Sequence, residues 1–65
     1  MDLHAGDIIV YNIKNFTSCT MLLLEHMESL TYRIGDKFLV LDLETGATLT
    51  WIFYPIDKLY IQKVV

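Results

Sequence analysis

The side chains in this sequence with the reactivity for acid–base or nucleophilic work are His4, Cys19, His26 and carboxylates such as Asp42 and Asp57. An imidazole near a carboxylate can shuttle protons, and a thiol near an imidazole can act as a nucleophile. Neither chemistry has its spacing here. No histidine stands at a motif distance from Cys19, and no carboxylate pair is set for a general acid and base. His26 follows Glu25, so alternation along a strand puts the two on opposite faces. Cys19 is the only cysteine, which excludes an internal disulfide and a paired-cysteine zinc site, and it reads as a small buried hydrophobe. The expectation is a non-enzymatic chain with no metal and no cofactor.

The elements that would position these residues are strands. Residues 39–54 read as two strands joined by a tight turn at Glu44-Thr45-Gly46. On the second arm Ala47, Leu49, Trp51 and Phe53 share one face and Thr48 and Thr50 take the other. Gly46 supplies the positive φ that such a turn requires. Upstream, Gly6-Asp7 opens the strand Ile8-Ile9-Val10-Tyr11, and Gly35-Asp36 opens another through Phe38, Leu39 and Val40. Both aspartates read as turn formers. Residues 12–18 form a polar loop pinned by Phe16. Residues 19–28 are ambiguous: Met, Leu and Glu favour a helix, and Met21, Leu24, Met27 and Leu30 fit its spacing, yet four consecutive apolar residues between polar ones also describe a buried strand. The strand reading is preferred. Residues 29–36 connect, with Tyr32 and Arg33 at the surface. Tyr54 to Leu59 makes one helical turn that Pro55 can begin, and Tyr60 to Val64 closes as a short strand.

This pattern of Gly6-Asp7-Ile8-Ile9-Val10, Leu22-Leu23-Leu24-Glu25, Phe38-Leu39-Val40-Leu41-Asp42, Thr45-Gly46, Trp51 and Leu59-Tyr60-Ile61 resembles the short SH3-like barrel proteins of tailed bacteriophages. The resemblance implies an all-β fold, a small five-stranded SH3-like barrel with one helical turn before the last strand, as a single domain over residues 1–65. It also implies a phage-encoded protein in host cytoplasm or virion. Peptide-binding SH3 domains are a poorer match: residues 12–18 contain no acid, and Trp51 follows the hairpin instead of preceding it.

Composition bounds the partners. Hydrophobic residues make up 54% and charged residues 20%, so several strands are apolar on both parities and surplus apolar surface is expected. The net charge of −3 and the scattered Lys14, Arg33, Lys37, Lys58 and Lys63 argue against nucleic acid. No apolar run spans a bilayer, and residues 1–7 lack a signal peptide's features, so a cytoplasmic location is expected. The function expected is a protein–protein interaction or assembly module, with a protein partner or a homo-oligomer. Its contact candidates are Tyr11, Tyr32, Leu39, Leu41, Ile52, Tyr54 and Tyr60, with Trp51 placed in the core. The alternatives are a small nucleic-acid-binding barrel with basic loops and stacked aromatics, or a phage inhibitor of a host protein.

Overall fold

The computed structural model describes residues 3–13, 17–27 and 35–64. They form β1 (Ile8–Ile13), β2 (Thr17–Met27), β3 (Asp36–Asp42), β4 (Thr48–Phe53), a 3-10 helical turn (Pro55–Tyr60) and β5 (Ile61–Lys63). All strand pairs are antiparallel, in the order β4-β3-β2-β1-β5. The expected loop pin Phe16, and Tyr32 and Arg33, lie outside the described residues.

β2 is a strand, although its Met and Leu content also suits a helix. It is the central element, paired with β1 on one side and β3 on the other, and this pairing overrides a weak local preference. Its register with β3 shifts between Leu23 and Glu25, a bulge that leaves Leu24 as the extra residue. Before the bulge Met21 and Leu23 face the core; after it the parity reverses, so His26 sits opposite Phe38 on the core side.

One face of the sheet carries the core: Leu3, Ile9, Met21, Leu23, Phe38, Val40, Phe53 and Ile61. Ile9, Leu23, Phe38, Val40 and Phe53 are fully excluded from solvent. Each such side chain contributes about 1.5–3 kcal/mol relative to exposure. Tyr11, Cys19 and Trp51 pack against this core and stay partly buried. The fully buried aromatic residue of β4 is thus Phe53, with Trp51 at the core's margin.

The barrel expectation is corrected. The five strands and the helical turn before the last of them are present, but the sheet is open: β4 and β5 are its two ends and do not pair with each other. Closure would need a ladder between these end strands. β5 has only three residues, and β4 runs at once into Pro55, which has no amide hydrogen to give. Side chains join β1 to β4 instead. The Tyr11 ring of β1 lies 5.7 Å from Trp51 and 6.3 Å from Phe53 of β4, and the helical turn touches both strands. The resemblance to SH3-like phage proteins implied a closed barrel and is corrected with it.

The two Gly-Asp pairs are different devices. Gly6, at φ 94°, sits in a turn closed by the Asp7 amide donating to the His4 carbonyl at 3.1 Å. The Asp7 carboxylate accepts from the His4 amide at 2.7 Å and takes Lys63 Nζ at 3.1 Å. Gly35 instead leaves room for a neighbour: a Cβ there would meet Ile52 Cγ2 at 2.8 Å. In the β3–β4 turn, Asp42 Oδ1 accepts from the Glu44 amide at 2.8 Å, and Gly46 has φ 78°.

The two faces of β3 predict unequal sensitivity. Phe38→Ala should lower unfolding free energy by about 3–5 kcal/mol, and Leu39→Thr by less than about 1 kcal/mol, in urea titrations of each variant. Equal losses would contradict a single buried face.

Candidate functional site

Residues paired across an antiparallel ladder share a face, so the registers define the sheet's second surface. Ile8 faces Leu22, Leu22 faces Leu41, and Leu41 faces Thr48, which draws one row across four strands on the side away from the core. Leu39 lies beside this row, between Glu25 and Thr50. Ile8, Leu22, Leu39 and Leu41 are each partly exposed. Ile52 shares this face opposite Lys37, and it leans with the Tyr54 ring over Gly35. The structure therefore brings Leu39, Leu41, Ile52 and Tyr54 to one side of the molecule. Sequence reasoning missed Ile8 and Leu22 as their neighbours; the apolar parity of both strands was visible, but the register that aligns them was not.

Tyr11 belongs to the other face and is held inside a network. Its hydroxyl donates to Asp57 Oδ1 at 2.7 Å, and Asp57 Oδ2 accepts from the Tyr54 amide at 2.7 Å. The second bond reaches back over the first residues of the helical turn, as the carboxylate of a capping box does. One carboxylate thus fastens the turn to its own start and to β1. Burial, followed by the hydrogen bond to Asp57, pushes the Tyr11 phenol up to about 12. Tyr60 ends the turn, partly buried, while Ile56 and Leu59 project from it into solvent. Tyr32 lies outside the described residues.

The chemical candidates do not converge. Asp42 holds the β3–β4 turn, Asp57 holds the helical turn, and Cys19 packs beside the core. His26 is exposed, with its ring 4.8 Å from Phe38 and its Nε2 3.7 Å from Asp36 Oδ1. Among the described residues no three of His, Cys, Asp and Glu come together as metal ligands. The described lysines do not build a basic patch either: Lys58 pairs with Asp36 at 3.2 Å, Lys63 pairs with Asp7 at 3.1 Å, and Lys37 stands apart on β3. The two bonds to Asp7, the His4 amide first and then Lys63, hold its carboxyl below the usual value. Among the described residues no helix is long and apolar enough to cross a membrane.

The result is a small all-β domain with apolar and aromatic side chains exposed together at its surface. Comparison with known proteins found no match to the chain among family models, curated proteins or solved structures.

The Tyr11–Asp57 bond predicts a pH dependence. The folded phenol titrates above its ordinary value of 10.0, so the stability it contributes is complete below pH 10 and is lost as pH rises through about 12. Tyr11→Phe should cost about 1–2 kcal/mol at neutral pH and flatten the loss across that alkaline window, read by denaturant titrations at each pH. An unchanged alkaline slope would show that Tyr11 is not the group responsible.

Proposed function

We propose that this protein is a non-enzymatic interaction module whose contact surface is the outer face of the sheet. The observation that carries the reading is the aligned row Ile8, Leu22 and Leu41 with Leu39 beside it. A strand whose outer face meets water ordinarily alternates apolar with polar residues. Here β3 carries Phe38 and Val40 inward and Leu39 and Leu41 outward, and both outward leucines keep part of their surface in solvent. Contiguous apolar surface of this kind marks places where proteins meet. Paired strands hold the row, so little backbone freedom is lost on contact. Thr48, Thr50, Glu25 and Lys37 supply a polar margin around it. The aromatic anchors expected from sequence divide: Tyr54 borders this face, and Tyr11 serves the fold through Asp57.

The test is the double variant Leu22→Thr with Leu41→Thr, which keeps residues suited to strands. It should retain the native far-UV spectrum while losing binding of a hydrophobic dye, and it should lose any protein partner that the unmodified chain captures specifically. An unmodified chain that binds no dye, or a double variant that binds dye and partner as well as the original, would overturn the proposal.

A further inference from the structure

The two ends of the open sheet are not alike. β5 offers three residues and ends in Lys63, and both short length and lysine protect an edge. β4 offers six residues, Thr-Leu-Thr-Trp-Ile-Phe, with no charge, no proline and no bulge along its ladder with β3. Thr48, Leu49 and Thr50 are exposed there. The strand's own residues thus carry none of the charge, proline or bulge that blunts an edge.

The backbone groups on this edge follow from the β3–β4 ladder. The Asp42 amide donates to the Ala47 carbonyl at 2.8 Å, so residues 42 and 47 are a hydrogen-bonded pair. Such pairs alternate along an antiparallel ladder. The next ones inward are Val40 with Leu49 and Phe38 with Trp51. Thr48, Thr50 and Ile52 therefore aim their N–H and C=O groups away from β3, at an edge that no described strand pairs with.

We infer that β4 pairs with β4 of a second copy of this chain about a two-fold axis through Thr50. In this register Thr50 faces Thr50 of the second copy, and Thr48 faces the second copy's Ile52, so each pair uses the outward-aimed groups. Between them Leu49 faces Trp51 of the second copy in a non-hydrogen-bonded pair, where side chains approach most closely. Leu49 is 37% exposed and Trp51 is half-buried, so each covers what the other leaves open. A second copy is the occupant that this edge favours. The uncharged strand meets itself without like-charge repulsion, and the pairing closes at two chains. Pairing β4 with a β5 edge would instead continue head to tail into a fibre, and Lys63 and the shortness of β5 oppose it. The two-fold axis also sets the outer faces of the two sheets on the same side, side by side.

The test is sedimentation velocity of the full chain from low to high micromolar concentration. The unmodified chain should reach twice the monomer mass. Thr50→Lys sets two like charges opposite each other and should weaken association about tenfold or more. Thr50→Pro removes an N–H that the β3 ladder does not use, so it should remain folded by far-UV spectrum and sediment as a monomer. The double variant Leu22→Thr with Leu41→Thr should still dimerise, which separates this edge from the outer face. A chain that is monomeric throughout would overturn the inference. So would a dimer that survives Thr50→Lys, or one lost only when Leu22 and Leu41 are replaced.

Discussion

One constraint governs this structure: a single sheet has to bury its own core. A chain of 65 residues has little area to hide, and the described residues contain no second sheet and no helix beyond one short turn. The sheet answers by bringing β1 and β4 together through side chains. Tyr11 from β1 reaches Trp51 and Phe53 from β4, Phe53 meets the edge of Phe38 at 6.2 Å, and Trp51 stacks on Phe53 at 6.1 Å. The Asp57 carboxylate then ties the helical turn across this junction by accepting from the Tyr11 hydroxyl and the Tyr54 amide. Side chains do here what backbone pairing does in a closed barrel.

The same constraint leaves the other face without a covering layer among the described residues. Every strand has two parities, and a single layer can bury only one. The residues on the wet side are nevertheless Ile8, Leu22, Leu39 and Leu41, with Ile52 and Tyr54 near them. Placing leucine on the exposed side of a strand gives the isolated fold little that threonine would not give. Contact with another protein is a physical reason for its presence. The open sheet leaves β4 as a second unsatisfied feature, in its backbone and not in its side chains.

Much of the architecture was legible in the sequence. The alternation of Leu49, Trp51 and Phe53 against Thr48 and Thr50, the Gly46 turn, and Pro55 at the start of the helical turn all translate directly into local geometry. The surplus of apolar parities was also visible, and it pointed to Leu39, Leu41 and Ile52. Three things were hidden because they depend on pairing between distant segments. The bulge at Leu24 reverses the parity of β2, and nothing local announces it. The register that lines Ile8 and Leu22 up with Leu41 exists only once three strands meet. Closure of the sheet is decided by whether two end strands reach each other, and a hydrophobic skeleton is the same for a barrel and for an open sheet. Tyr11 reads locally as a candidate contact residue, yet Asp57, far along the chain, makes it part of the fold.

The central claim is that one face of the sheet is dry and the other is apolar and partly exposed to water. The most direct measurement is the broadening of methyl NMR signals by a soluble paramagnetic probe, taken on dilute protein. The account predicts strong broadening for the methyls of Ile8, Leu22, Leu39 and Leu41, and protection of those of Ile9, Leu23 and Val40. Equal protection of both sets would mean that the outer face is covered within the chain itself, and would contradict the account.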